Sequence, residues 1–460
     1  MNITQRPRHL PGYHRRALAS WLSRHKKLVK GLLLWLGIPV ALIVAAGFVP
    51  LSFDGLRGTA ERALVKAGAS SCTIRKLSLQ PWLGFSIDEM ELEKKEGPLK
   101  VKATIPRVLL AYRIFPLLFK FVVVKDVVIE RPRVTVTLPS VVPPGRTQVQ
   151  PLSVDAIRKA LPESPFSILV QNISLRGAEI SVVQKGETLV HGDGIDVRMS
   201  VGFKRELALT GGARARTLTV DGMWDFTDVR ASVSVSELTV ALDKGRGDFY
   251  GGTIGASGKA DLGENTLEGL TLELSHVNLA KLYAACRIRR GQCEGRVDGN
   301  LNLGRSDLAL DSLSGSGALR LADVSVHDMP LQSGIITSVA VPQLRNITFS
   351  KLGTTLEVRG GKVFTPDIKG DGYPLEVRAD GWVGLDGYFS EKMKGIFAAD
   401  LVEKFHPVIS RSLDEELDGK KSFTCTVHGT LGNPGIDIDR RITDRAVHNV
   451  IDEVRKFFGK

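Results

Sequence analysis

The sequence predicts a mainly-β protein: a single apolar helix near the N-terminus, then a large antiparallel sheet with a few short helices. Three observations carry this. Residues 31–53, GLLLWLGIPVALIVAAGFVPLSF, contain no charge, and about 20 apolar residues at 1.5 Å each cross a hydrocarbon core. Beyond residue 68 apolar residues recur at every second position, as in Arg133-Val134-Thr135-Val136-Thr137-Leu138, Leu270-Thr271-Leu272-Glu273-Leu274 and Leu301-Asn302-Leu303. That is the period of a strand with one face toward an apolar environment. The connections between about twenty such segments are short and lack long crossover helices, as antiparallel neighbours require.

The elements follow in chain order. Residues 1–30 hold Arg6, Arg8, Arg15, Arg16, Arg24, Lys26, Lys27 and Lys30 and no acidic residue. This arm carries most of the formal charge of +12, because 54 basic residues face 50 acidic ones in the rest of the chain. A nucleic-acid-binding face is therefore not expected. A basic arm before a span holds the N-terminus in the cytoplasm, which places residues 54–460 on the far side. Ala45-Ala46-Gly47 would suit a cleaved leader, but the apolar run outlasts the ~7–15 residues of a signal peptide.

Residues 54–67 read as a short amphipathic helix, with Leu56, Ala60, Ala63 and Leu64 on one face and Gly68 ending it. Residues 54–138 form an N-terminal αβ unit, closed by a proline-rich linker at 139–151, PSVVPPGRTQVQP. A β-rich unit spans 152–439, with short helices expected at 153–161, 278–286 and 397–417, the last interrupted by Pro407. Breaks in the two-residue period at Ser236-Glu237 and Asp323 suggest β-bulges or tight turns. Lys244-Gly245-Arg246-Gly247-Asp248 and Leu313-Ser314-Gly315-Ser316-Gly317 read as turns. Residues 440–460 carry a basic amphipathic helix, with Ile442, Val447, Ile451, Val454 and Phe458 at helical spacing; it either plugs the end of the sheet or touches a membrane surface.

Twenty half-apolar strands expose more apolar surface than these helices can cover. Either a second sheet covers it or the face stays open for an apolar ligand. Leu270, Leu272, Leu274, Val297, Leu301, Leu303, Leu319 and Leu321 are the candidates to line that face, with Thr271, Asn302 and Arg320 pointing the other way. Cys286 and Cys293 bracket six residues and could close a small disulfide loop in an oxidising compartment. Sequence does not decide whether Cys72 and Cys425 meet.

Catalytic chemistry has little footing. The nine histidines form no His-x-x-x-His pair, and there is no Gly-x-Ser-x-Gly elbow or phosphate loop. Asp367-Ile368-Lys369-Gly370-Asp371-Gly372 lacks the carboxylates a calcium loop needs at its third and twelfth positions. No catalytic residue, metal or cofactor is expected. Asp414-Glu415-Glu416-Leu417-Asp418 reads as a solvated turn.

The order of elements resembles the AsmA-like family. The resemblance rests on the basic arm and span, on CTIRKLSLQPWLGFSIDEMEL, and on the Pro-Leu-Leu at 116–118 with Arg131-Pro132 after it. It continues through Asp248-Phe249-Tyr250-Gly251-Gly252-Thr253-Ile254, Glu294-Gly295-Arg296-Val297-Asp298-Gly299 and the closing Gly429-Thr430-Leu431-Gly432-Asn433-Pro434. It implies a protein anchored in the inner membrane of a diderm bacterium, its periplasmic body an elongated, curved, groove-like antiparallel sheet resembling bridge-like lipid-transfer proteins. The implied role is non-enzymatic: binding or transferring phospholipid toward the outer membrane, or maintaining that membrane, with a periplasmic or outer-membrane protein as partner. The alternative is a scaffold for outer-membrane proteins that works through sheet-edge pairing.

Overall fold

The computed structural model describes most of residues 51–451. Residues 1–50, 139–166, 333–341 and 452–460, with shorter stretches at connections such as 114–120 and 287–290, lie outside the described residues. So do most of the expected span at 31–53, the linker, the helix at 153–161 and the end of the C-terminal helix. Among the described residues, no helix is long and apolar enough to cross a membrane.

The first described elements are β1 (Leu51–Ser52), α1 (Asp54–Lys66), β2 (Ser71–Gln80), β3 (Gly84–Glu96), β4 (Leu99–Arg113), β5 (Phe121–Glu130) and β6 (Arg133–Leu138). The sheet continues with β7 (Ser167–Gln184), β8 (Glu187–Phe203), β9 (Leu207–Val220), β10 (Trp224–Ser236), β11 (Thr239–Phe249), β12 (Gly252–Asp261) and β13 (Thr266–Asn278). After α2 (Leu279–Ala285) come β14 (Gln292–Leu303), β15 (Ser306–Asp307), β16 (Gly315–His327), β17 (Asn346–Arg359), β18 (Lys362–Tyr373), β19 (Leu375–Gly384) and β20 (Tyr388–Phe397). The last are α3 (Ala399–Val402), α4 (Pro407–Ser412), β21 (Asp414–Glu415), β22 (Lys421–Thr430) and β23 (Asn433–Ile438).

These 23 strands form one curved sheet. Neighbours in the sheet are almost always neighbours in the chain, paired antiparallel, from β1 to β4, from β7 to β14, and from β16 through β20 and β22 to β23. The exception corrects the expectation of a purely antiparallel sheet: β7 runs parallel to β5 and β6. A parallel step needs a connection of a dozen or more residues, and it falls where the proline-rich linker was expected. Arg131-Pro132 closes β5, and β6 continues the same rung directly after it. Arg131 has φ 47°, its amide bonds the Arg176 carbonyl at 2.7 Å, and β5 and β6 lie end to end between β4 and β7. A proline without an amide is tolerated at such a break.

The break at Asp323 is a β-bulge: its φ is 54°, and the register with β14 shifts between Glu294 and Arg296. The break at Ser236 is the end of β10. Glu89 and Asp228 also have positive φ, and the acid at each of these three positions is held by an arginine on an adjacent strand. Asp323 meets Arg296 at 2.5 Å, Asp228 meets Arg214 at 2.8 Å, and Glu89 meets Arg75 at 2.6 Å.

Of the two expected turns, 244–248 is strand throughout and 313–317 is strand from Gly315 onward. Residues 244–248 belong to β11, whose reversal comes at Tyr250-Gly251, where φ is 44° and 82°; within the strand, Gly247 leaves room for the Val229 side chain, 3.1 Å from where a Cβ would stand. Gly315 and Gly317 sit inside β16, where a Cβ would meet the Asn302 and Asn300 carbonyl oxygens at 2.2 and 2.1 Å. Glycine there permits close strand approach rather than reversal.

The helices cover the sheet in patches. Ala60 and Leu64 of α1 pack on Ile74, Met90, Ile105 and Val108. Leu279 and Leu282 of α2 pack on Phe249, Val277 and Val297, with Asn278 accepting from the Lys281 amide at 3.0 Å as N-cap. At the far end Leu401, Leu413 and Ile442 join Phe397, Phe423, Cys425 and Val427 in the largest core. Pro407 opens α4 at its first turn, with His406 as N-cap, so the expected interruption is a helix start.

Candidate functional site

Residues paired in register share a face, so the pairing reads out the surface of the sheet. One face is apolar along nearly its whole length. Leu79, Phe85, Leu110, Val127, Ile173, Met199, Gly211, Val233 and Leu242 stand abreast on successive rungs. Beside them run Leu77, Ile87, Val108, Ile129, Leu175, Val197, Ala213 and Ala231. Farther along, Ala256, Leu272, Leu301, Gly317 and Leu356 form one file, and Val277, Val297, Leu321, Leu352, Gly370 and Val377 another. The opposite face carries Thr271, Asn302, Ser316 and Glu357 at matching positions.

All eight candidate residues lie on the apolar face, through the pairs Leu270–Leu303, Leu272–Leu301, Leu274–Gly299, Val297–Leu321 and Gly299–Leu319. They divide into two groups. Leu274, Val297, Leu319 and Leu321 pack under α2 beside Phe249 and Val277. Leu270, Leu272 and Leu301 are partly exposed and belong to no buried cluster, while Leu303 is buried. Asn302 and Arg320 are exposed on the other face.

The most open stretch lies earlier in the chain. No residue of β7, β8 or β9 belongs to any of the three buried apolar clusters, although Ile173, Leu175, Val197 and Met199 continue the apolar files there. Among the described residues neither a second sheet nor a helix packs on this stretch. Sequence reasoning missed these residues. The alternation through Asn172-Ile173-Ser174-Leu175 carries the signal, but the register needed to join it to Val127 and Met199 comes only from pairing.

The Tyr250-Gly251-Gly252 segment organises one rim. Tyr250 and Gly251 have φ of 44° and 82°, and a Cβ at Gly252 would stand 2.4 Å from the Ser275 carbonyl oxygen. The Tyr250 hydroxyl donates to the Met223 carbonyl, tying the β11–β12 reversal to that of β9–β10. Phe249 stacks on Phe226 at 4.9 Å, closing the apolar face at this margin.

One carboxyl intrudes on the apolar face. Glu391 pairs in register with Gly381 and Val427, its Oε1 accepts from the Thr365 hydroxyl at 2.7 Å, and its Oε2 is buried without a partner among the described residues. Burial pushes this carboxyl up from its ordinary range, and nearby Asp380 adds to the effect.

In place of the expected disulfide, Cys286 and Cys293 are free thiols. Cys293 points from β14 into the core beside Val324, whereas Cys286 is the C-cap of α2. Cys72 on β2 and Cys425 on β22 sit at opposite ends of the sheet and are free too. No protein-family model, no curated protein and no solved structure matches this chain.

Proposed function

We propose that the apolar face is a lipid-binding groove and that the protein is a non-enzymatic lipid-binding or lipid-transfer protein. The observation that supports this most is the continuous apolar file of one unlayered sheet, left without a packing partner across β7 to β9 among the described residues. Large open apolar surfaces are ligand or interaction sites, and acyl chains are apolar along their whole length. Roughly twenty rungs at ~4.8 Å give a face about 90 Å long, far longer than one small ligand needs. A face of that length suits chains that pass along it. The charge-free run at 31–53 behind a basic arm fits a membrane anchor that sets the sheet beside a lipid source. In the AsmA-like reading, that source is the inner membrane and the cargo is phospholipid bound for the outer membrane.

The test is to purify the full-length protein in a detergent without phosphate, wash extensively, and extract bound lipid for mass spectrometry. Phospholipid retained at or above one molecule per protein is expected. Lipid-free protein, with unchanged hydrogen exchange on β7 to β9 when phospholipid is added, would contradict the groove and favour the scaffold reading.

A further inference from the structure

The polar face carries a second feature, independent of the groove. Arg320, Gly353, Lys369, Arg378, Lys394 and Thr424 stand abreast on β16, β17, β18, β19, β20 and β22. Lys369, Arg378 and Lys394 are thus three cations directly opposite one another on adjacent strands. Such like-charge neighbours destabilise a sheet unless something lies between them.

Elsewhere this sheet supplies that something. Arg214 and Arg230 are also in register, and Asp228 binds both, at 2.8 and 2.6 Å. Between Lys369 and Arg378 no acid among the described residues bridges the two within 4.0 Å; Asp367 acts on Lys369, and Glu416 on Arg378, only at longer range. Lys394 is held by Glu416 at 2.5 Å. Asp367 accepts from the Thr355 amide and hydroxyl, both at 2.7 Å, and from the Thr354 hydroxyl at 3.2 Å. Asp439 is bound by Arg441 at 2.8 Å, and Asp380 faces Lys392 in register. Among the described residues no hydrogen bond or ion pair within 4.0 Å engages the side chain of Lys369 or Arg378.

Both side chains line a hollow of about 470 Å³, together with Lys392, Lys394, Thr424 and Arg441 and the three acids just named. A tetrahedral dianion placed between Lys369 and Arg378 turns their mutual repulsion into two charge-assisted contacts, and the planar fork of arginine matches two of its oxygens. The three acids oppose an anion, but Lys369, Arg378, Lys392, Lys394 and Arg441 outnumber them five to three, so the lining keeps a net positive charge of two.

We propose that this hollow is a phosphate-binding site, with Lys369 and Arg378 as its principal ligands, serving either free phosphate or the phosphomonoester headgroup of a lipid. It lies on the face opposite the groove.

The experiment measures the thermal midpoint of the full-length protein in detergent, in sodium phosphate against sodium chloride of equal ionic strength. A ligand that binds only the folded state raises the midpoint progressively with its concentration. Wild type is expected to gain from phosphate, and Lys369→Gln/Arg378→Gln to gain nothing. In chloride the double variant should be at least as stable as wild type, because the repulsion is relieved. Arg378→Lys should keep a reduced response, and Arg214→Gln a full one. Mixed micelles of phosphatidic acid, compared with phosphatidylcholine, separate the two sources: a rise that depends on Lys369 and Arg378 identifies the lipid headgroup, and a response to inorganic phosphate alone identifies the free ion. Absence of any phosphate response in wild type, or an undiminished one in the double variant, overturns the proposal. Lipid co-purified in the groove should be the same in both proteins, so failure here leaves the groove reading untouched.

Discussion

Replacing Leu301 by Asp separates an open groove from a closed core. Leu301 stands between Leu272 and Gly317 on the apolar face and is partly exposed, whereas Val277 on the same face is 0% exposed beneath α2. Complete burial of a leucine is worth ~1.5–3 kcal/mol, so losing the covered part of Leu301 costs about 1–2 kcal/mol, and its carboxylate reaches water through the opening. A carboxylate at Val277 has neither water nor a partner and costs about 3–5 kcal/mol or more. Asn302→Asp, on the exposed polar face, serves as the control. The three full-length variants are compared with wild type by thermal unfolding and by phospholipid extracted per protein. Leu301→Asp is expected to stay folded and lose most of its lipid, Val277→Asp to be the least stable, and Asn302→Asp to keep both properties. Unfolding of Leu301→Asp to the extent of Val277→Asp would show a closed core at this position; undiminished lipid would show that acyl chains do not use this face.

Three further outcomes follow from the charges and thiols. Because burial raises the folded-state pKa of Glu391 above its unfolded value, the native state holds that proton more tightly. Stability from this group is therefore fully present below the unfolded pKa and lost as pH rises through the folded one. Glu391→Gln should raise the thermal midpoint at pH 8 and change it little at pH 4; the reverse order would place the carboxylate in a favourable charged site. Burial pushes the Cys293 and Cys425 thiols up to about 11, so maleimide at pH 7.5 should modify Cys72 and Cys286 first, as read by peptide mass mapping. A Cys286 that reacts only after reductant is added would restore the disulfide. Finally, under the proposed topology, in which the basic arm keeps the N-terminus inside, a reporter joined after Lys460 should be active only if it works in the periplasm. Cytoplasmic activity would refute that topology.

Strand type and facing are legible in the period of the apolar residues alone. Leu272, Leu301 and Leu321 fall on one face and Asn302 and Arg320 on the other because side chains alternate strictly along a strand. The helix at 278–286 is equally legible, from Asn278 as cap and the return of a three- to four-residue spacing. Long-range pairing is not. The parallel step from β6 to β7 depends on where the chain returns after a long connection, which no local pattern specifies. The runs at 244–248 and 315–317 mislead because glycine marks both reversals and places where two backbones approach closely. The cation row of Lys369, Arg378 and Lys394 is invisible in the sequence for the same reason as the parallel step: the three lie on separate strands and become neighbours only through register.

Because almost every rung pairs with the rung next to it in the chain, the sheet is close to one-dimensional in an energetic sense. Contacts of short sequence separation close small loops, so the sheet can extend strand by strand from any nucleus, without waiting for distant segments to meet. Cooperativity then decays along its length as it does in repeat arrays, and damage to one rung stays near that rung. The one step that breaks this rule is the crossover into β7. It divides the sheet into two stretches that can each grow from local pairings and then join along a single strand. During synthesis the N-terminal stretch emerges first and can present the free edge of β5 and β6 as a template for β7. A chain cut within residues 139–166 should therefore still yield two ordered halves, and their reassembly would report the strength of one seam rather than that of the whole sheet.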